Sequence, residues 1–149
     1  MITQPISRRT PLGGTPATAG AARRYVRDVL DANHVNEKVI GLVELLTSEV
    51  VTNALLHARG ADELQVEVRP AVVRVEVQDP SSLLPSPRRA GAEAVSGRGL
   101  KIVAALAQAW GVEMRPRGKR VWFEVERGED SLLGRTGSPS SWDDRNSQS

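Results

Sequence analysis

The sequence predicts an α+β fold, a two-layer α/β sandwich in which three helices pack on one face of a mixed, mostly antiparallel sheet. Three observations lead to this prediction. Apolar residues recur at helical spacing in two segments before residue 59 and in one segment after residue 99. Valine and leucine alternate with polar residues over 64–69 and 73–78, which is typical of a hairpin with one wet face. The order helix, helix, hairpin, loop, helix, hairpin suits helices that cover one side of a sheet.

The boundaries of these elements follow from local signals. The helices are expected from about Pro16 to Ala32, from about Glu37 to Ala58, and from Leu100 to about Trp110. Asn36 is the predicted N-cap of the second helix, and Arg59-Gly60 is its predicted end. The second hairpin is expected to pair residues 112–115 with residues 119–126.

Composition limits the organisation of the chain and the classes of function. We expect a flexible arm over residues 1–14 with a short edge strand as an alternative, one domain over 15–126, and a disordered tail over 127–149. The 149 residues include no cysteine and only two histidines, which excludes thiolate-bound metals and disfavours a histidine-built metal site. A net charge of +2 with few aromatic residues argues against direct nucleic-acid binding. No apolar run approaches the roughly 20 residues of a membrane span, so the expected location is the cytoplasm, without membrane contact.

The second helix carries the strongest anomaly. Glu49 and Asn53 are four residues apart and therefore share one helix face, which is otherwise apolar. A carboxylate beside an amide oxygen suits a hard cation such as Mg²⁺ or a water poised for proton transfer. An ordinary buried polar pair is the alternative. His57 extends this face, either as a ligand contact or as a side chain that caps the end of the helix.

Asp79 directly follows the second strand of the first hairpin, where a strand meets a loop and binding residues are common. Its carboxylate suits an exocyclic amine such as adenine N6. The alternative is a simple turn, because Asp-Pro-Ser is a good turn-forming sequence.

Two glycine motifs follow along the chain. Gly97-Arg98-Gly99 precedes the third helix at Leu100, and the N–H groups at the start of a helix suit a phosphate; a plain loop-to-helix junction is the alternative. Lys119 follows a glycine at the start of the last strand. It is either a phosphate contact or an exposed strand lysine.

These pieces, taken in order over roughly residues 15–126, resemble the GHKL ATPases, whose nucleotide-binding domain has the Bergerat fold. The segment 46–58, with Glu49, Asn53 and His57, looks like the N-box of bacterial anti-sigma factor serine/threonine kinases. Asp79 is similar to the aspartate of the first glycine box. The motif Gly97-Arg98-Gly99-Leu100 resembles the second glycine box, and Gly118-Lys119 resembles the last motif. The first box is normally Asp-x-Gly, whereas this chain has Asp79-Pro80-Ser81.

The resemblance implies ATP and Mg²⁺ as cofactors. It implies that Glu49 is the catalytic base and that Asn53 is the metal ligand. It further implies nucleotide contacts from Asp79, from Gly97, Arg98, Gly99 and Leu100, and from Lys119.

The implied activity is protein serine/threonine kinase activity toward a STAS-type anti-anti-sigma factor, with a sigma factor as the alternate partner and a homodimer as an allowed assembly. A catalytically inactive protein-binding module of the same fold is the alternative function.

Overall fold

A computed structural model describes residues 5–58, 60–81 and 100–128, with the side chains of 57 and 58 left out. The elements are β1 (Ile6–Pro11), α1 (Thr18–Ala32), α2 (Glu37–Ala58), β2 (Glu63–Val68), β3 (Val72–Asp79), β4 (Ala109–Arg115) and β5 (Gly118–Glu126). Residues 100–106 are also helical and are labelled α3. The strand order is β1-β2-β3-β5-β4, and each described pair of neighbours is antiparallel. The predicted sandwich of three helices on a sheet is confirmed, with a sheet that is antiparallel in its described strands rather than mixed.

The alternation of valine along the first hairpin positions one face of the sheet against the helices. Val66 lies opposite Val75 in the antiparallel register of β2 and β3, and both side chains are fully buried. The turn is closed by the Arg69 N–H, which donates to the Val72 carbonyl at 2.9 Å. Phe123 of β5 lies opposite Val75 on the other side and is also fully buried, so the core continues across the sheet.

The long helix α2 forms the centre of the helical layer. It begins where predicted, since Asn36 Oδ1 accepts a hydrogen bond from the Val39 N–H at 2.9 Å and caps the helix. It ends before Gly60, whose positive φ of 136° suits glycine. Within the described part of the chain, residues 37–56 are long and apolar enough to meet the length and composition test for a membrane-crossing helix. Here Val43, Leu46 and other apolar side chains of α2 are buried in the core that it forms with α1 and the sheet.

The two ends of the domain differ in how well they follow the sequence pattern. Ile6–Pro11 forms the short edge strand that the sequence allowed, paired with β2. The expected third helix was too long: α3 ends at residue 106, and Trp110 lies in β4 opposite Phe123. The Gln108 N–H already donates to the Glu124 carbonyl at 2.8 Å, so pairing with β5 replaces helical hydrogen bonds there. Leu106 and Trp110 are four residues apart, as on one face of a helix, but the hydrogen bonds between β4 and β5 make residue 110 part of a strand.

Candidate nucleotide-binding site

The helical side of the candidate site is the α2 face that carries Glu49 and Asn53. Glu49 is half-buried, and Asn53 is only 4% exposed. Among the described residues, Asn53 Oδ1 has no hydrogen-bond partner although it is buried. A buried acceptor without a partner costs roughly 1–3 kcal/mol, so its persistence at this position calls for a ligand or another explanation. An amide oxygen fits a hard divalent cation, so the Asn53 side chain is compatible with a Mg²⁺ ligand.

The sheet side of the candidate site is a buried ion pair between two neighbouring strands. Asp79 ends β3 and lies opposite Lys119, the second residue of β5. Lys119 Nζ donates to Asp79 Oδ1 at 3.0 Å, and each side chain is only 2% exposed. The ion pair therefore offsets part of the desolvation cost of the two buried charges.

The backbone around this pair fixes its position. The Ser81 N–H also donates to Asp79 Oδ1, at 2.9 Å, across Pro80, which has no N–H of its own. Gly118 has a φ of 136°, and a Cβ placed on it would overlap the backbone carbonyl of Asp79. The start of β5 therefore lies directly against the end of β3, with no room for a side chain between them.

Burial raises the pKa of the Asp79 carboxyl above the ordinary range of aspartate, and the negative charge of Asp62 adds to the rise. The hydrogen bond and charge of Lys119 and the Ser81 N–H act in the opposite direction and are together weaker. The direction is physically reasonable because removing a carboxylate from water disfavours its charged form even when one cation is close. Asp79 is thus a carboxylate held at a position where its charge is costly.

The burial of Lys119 differs from one of the two interpretations that the sequence allowed. The interpretation as an exposed strand lysine is wrong, because the side chain is buried and paired with Asp79. The alternation of side chains along β5 explains this burial, since Lys119 lies on the same inward face as Val121, Phe123 and Val125. The ammonium lies beside the carboxylate expected at the adenine end of the site. The predicted phosphate contact stays a prediction.

Helix α2, which carries Glu49 and Asn53, packs directly on β3 and β5, the strands that carry Asp79 and Lys119. Leu100, at the first described position of α3, is 4% exposed. The predicted contacts Gly97, Arg98 and Gly99 lie outside the described residues, as does the side chain of His57. The candidate site is therefore described on its helix α2 side and its sheet side.

Two clefts among the described residues lie elsewhere. One of about 380 Å³ runs between the N-terminal end of α1 and the α2 residues Thr52, Leu55 and Leu56. The other, of about 400 Å³, lies between the start of α2 and the end of β5. Neither is lined by Asn53, Asp79 or Lys119.

Sequence reasoning missed three features of the site and its surroundings. It placed no weight on Gly118 as a packing residue or on the Ser81 N–H as a partner of Asp79. It also passed over Thr47 of α2, which is fully buried and whose Oγ1 has no hydrogen-bond partner among the described residues. The inward period of β5 is the one signal in the sequence that would have indicated the burial of Lys119.

Comparison with known proteins identifies the fold. A family model described as the histidine kinase-like ATPase domain matches residues 13–125. A comparison with curated proteins gave no significant match. Among solved structures, the RsbU and RsbW domains of Rv1364c from Mycobacterium tuberculosis match with a TM-score of 0.56 and 20% identity, over 83% of this chain and 32% of that one. This chain thus corresponds to about a third of the length of that structure.

Two further structures match with similar coverage of this chain. The histidine kinase domain of a blue-light activated histidine kinase from Erythrobacter litoralis has a TM-score of 0.48 and 23% identity, over 83% of this chain and 64% of that one. The SiaB–SiaC complex from Pseudomonas aeruginosa has a TM-score of 0.46 and 14% identity, over 82% of this chain and 88% of that one. The family model covers most of the chain and the order of the sequence motifs agrees with it, so this protein belongs to the histidine kinase-like ATPase domain family.

Proposed function

We propose that this chain binds ATP with Mg²⁺ and transfers the γ-phosphate to a serine or threonine of a STAS-type anti-anti-sigma factor, with a sigma factor as the alternate partner. The observation that carries the proposal is the buried, unpartnered Oδ1 of Asn53 among the described residues, one helical turn from Glu49. Phosphoryl transfer to a hydroxyl group uses a metal ligand and a proton acceptor close together, and Asn53 and Glu49 would supply these two groups from one turn of α2. Residues 15–126 would form the nucleotide-binding domain, acting in the cytoplasm without membrane or nucleic-acid contact.

Each proposed role follows from the chemistry of the side chain. Asn53 would hold the metal through its amide oxygen, and Asp79 would accept a hydrogen bond from the base. The Gly97–Leu100 turn would present backbone N–H groups to the phosphates at the start of α3. Bound Mg²⁺ would neutralise charge on the β- and γ-phosphates.

Glu49 would accept the proton of the substrate hydroxyl as the hydroxyl oxygen bonds to the γ-phosphorus and the bond from that phosphorus to the β–γ bridging oxygen breaks, which leaves ADP. Its half-buried position on α2 supports this role, because a substrate side chain can approach a carboxylate that is not fully enclosed. Phosphoryl transfer depends otherwise on positioning and charge neutralisation, so the site needs few other reactive groups.

The choice of protein partner rests on the sequence. The N-box over residues 46–58 resembles that of anti-sigma factor kinases more closely than that of other members of the superfamily. The matching structure that contains an RsbW domain supports the fold of this chain, at 20% identity. A STAS-type partner is the substrate that this resemblance suggests.

A labelling experiment with [γ-³²P]ATP and candidate STAS proteins tests the proposal. Wild-type protein is expected to label at least one partner, and Glu49→Gln is expected to lower the rate by about a hundredfold or more, the usual effect of losing a catalytic base. Glu44→Gln is the matched control, since Glu44 is a half-buried carboxylate of the same helix that pairs with Arg27. Absence of labelling with every partner tried would refute the kinase activity, and labelling that Glu49→Gln leaves unchanged would refute the role of Glu49 as the catalytic base.

One observation favours a second candidate function, a protein-binding module without catalysis. Asp79 Oδ1 is already satisfied inside the protein by Lys119 and by the Ser81 N–H. A carboxylate that is held in this way resembles a structural ion pair. Calorimetry with ATP and Mg²⁺ separates the two functions: binding that Asp79→Asn abolishes favours the nucleotide site, and no binding at all favours the module.

A further inference from the structure

We propose that two copies of this chain associate through β4, an edge strand of the sheet, in an antiparallel arrangement centred on Val112. The inference goes beyond the proposed function, because it concerns an assembly surface and not the nucleotide site. The two five-stranded sheets then form one continuous sheet, with a two-fold axis that passes beside Val112.

The first argument is that the outer edge of β4 is open. The strand pairs with β5 on one side and, within the part of the chain that the structure describes, with no strand on the other. Such an edge presents backbone N–H and C=O groups that can pair with a further strand. Proteins commonly block an exposed edge with lysine or proline, and the seven residues of β4 include neither.

The opposite edge of the sheet, formed by β1, has a different character. Arg8 and Arg9 are exposed in the middle of this strand, and proline stands at its last residue, Pro11. The large apolar side chain of β1, Ile6, packs against the core. Charge and proline therefore protect the β1 edge against pairing, whereas β4 has no comparable protection.

The second argument is an exposed apolar strip along β4. Trp110 is 37% exposed and Met114 is 49% exposed, and the alternation of the strand places both on one face with Val112. Leu106, at the end of α3, is 48% exposed. Three of the five large apolar side chains that are exposed among the described residues thus lie in or next to this one strand. Clustered exposure of this kind is typical of an interaction surface.

The third argument, which favours a second copy as the partner, is that the strip is complementary to itself. Val112 is the middle residue of the seven in β4, so an antiparallel arrangement centred on it pairs the whole strand with its copy. Trp110 then lies opposite the partner's Met114, and Met114 lies opposite the partner's Trp110. Cross-strand pairs between an aromatic ring and a methionine are favourable, and this arrangement makes two of them.

The charges of β4 agree with the same register. On the other face of the strand, Glu113 lies opposite the partner's Gly111, and Arg115 lies opposite the partner's Ala109, so no like charges are directly opposed. Glu113 is also within 3.6 Å of Arg115 and 3.5 Å of Arg120 in its own chain, which reduces repulsion between the two copies of Glu113. An arrangement centred on Glu113 would instead place two glutamates directly opposite each other.

Single cysteines test the edge and the register, because the chain has no cysteine of its own. In Val112→Cys the two thiols lie directly opposite each other, with Cα atoms about 4.5–5.5 Å apart, which suits a disulfide. In Met114→Cys the two thiols lie about 13 Å apart along the strands, which is too far. We expect mild oxidation to crosslink Val112→Cys at least about tenfold faster than Met114→Cys or Arg8→Cys, which tests the β1 edge. Crosslinking of either control as fast as Val112→Cys overturns the inference.

Sedimentation of the whole wild-type chain over a range of concentrations tests the assembly itself. One paired strand buries less than the roughly 800 Å² per partner of a standard interface, so we expect a dimer with a dissociation constant of about 1–100 μM. Met114→Asp is expected to raise this constant by at least about tenfold. Leu45→Asp, which changes an exposed leucine of α2, is the matched control and should leave the constant unchanged.

A wild-type chain that stays monomeric up to about 1 mM overturns the inference. So does a folded Met114→Asp protein that dimerises as tightly as wild type. If Met114→Asp does not fold, the wild-type dissociation constant and the three cysteine variants still decide the outcome.

Discussion

Gly118 lies directly against the backbone carbonyl of Asp79, and its φ of 136° belongs to a region that L-residues with side chains rarely adopt. The contact joins the first residue of β5 to the last residue of β3, at the point where the candidate base-binding carboxylate is held. Steric fit and backbone conformation therefore both require glycine at this position.

Gly118→Ala is expected to lower the free energy of unfolding by about 2 kcal/mol or more, because the added Cβ overlaps the Asp79 carbonyl and the backbone is strained. Urea denaturation monitored by circular dichroism measures the change. Gly41→Ala is the matched control: Gly41 lies exposed in α2 with no atom near the added Cβ, and we expect a gain of about 0.5–1 kcal/mol. Equal effects of the two substitutions would show that the contact with Asp79 has no energetic importance.

The buried ion pair predicts strong coupling between Asp79 and Lys119. Lys119→Met leaves the buried Asp79 charge without its partner, which typically costs about 3–5 kcal/mol, and Asp79→Asn as a second change removes that charge. The double variant is expected to lose at least about 1 kcal/mol less than the sum of the single losses. Additive losses in a double-mutant cycle would contradict the direct interaction.

The raised pKa of Asp79 also predicts a dependence of stability on pH. The folded protein holds the Asp79 proton more tightly than the unfolded chain does, so its contribution is complete below about pH 4 and falls as the pH rises through the raised pKa. The difference in unfolding free energy between wild type and Asp79→Asn should therefore decrease with rising pH. A difference that increases instead would mean that Lys119 outweighs burial and lowers the pKa.

The α1–α2 contact predicts a smaller effect that is sensitive to salt. Arg27 of α1 pairs with Glu37 and Glu44 of α2 at 2.6 Å and 2.9 Å, and its hydrogen bond lowers the pKa of Glu37. The stability from Glu37 is therefore present above the ordinary pKa of glutamate and is lost as the pH falls. We expect Arg27→Met to lower the melting temperature slightly in dilute buffer and to match wild type in about 1 M salt. Arg24→Met, an exposed arginine with no ion pair among the described residues, should show no such dependence on salt.

The sequence predicted the layers of this fold well, because their signals are local and periodic. The valines of β2 and β3 alternate with a period of two, and α2 carries its own cap at Asn36. It failed at the end of α3, where Leu106 and Trp110 have helical spacing but pairing with β5 takes over. Which of the two structures forms there depends on a strand that comes later in the chain.

In the candidate site too, the sequence predicts the features that depend on neighbouring residues and not those that depend on distant ones. The polar interruption of an apolar helix face at Glu49 and Asn53 is visible in the sequence, and the structure adds that Asn53 is buried and unpartnered among the described residues. The pairing of Asp79 with Lys119 joins residues 40 positions apart, and it depends on the register of two strands. No local pattern contains that register, so the sequence could not predict the pairing, although the alternation along β5 does indicate that Lys119 is buried.

Substitution of Asn53 is expected to affect nucleotide binding much more than the stability of the fold. Its Oδ1 is buried without a partner among the described residues, so Asn53→Ala removes an unsatisfied group along with some packing. We expect a change in unfolding free energy of less than about 1 kcal/mol. We also expect a loss of at least about tenfold in ATP affinity with Mg²⁺ present, and little loss in EDTA, if this oxygen is a metal ligand.

Thr47→Val is the matched control for Asn53→Ala, because Thr47 Oγ1 is also buried on α2 without a partner among the described residues. Valine has the same shape without the hydroxyl, so the substitution should be neutral or stabilising and should leave ATP affinity unchanged. Calorimetry with and without Mg²⁺ measures both variants. An equal loss of affinity for Asn53→Ala in Mg²⁺ and in EDTA would place Asn53 against the nucleotide itself, because the effect would then not require a metal.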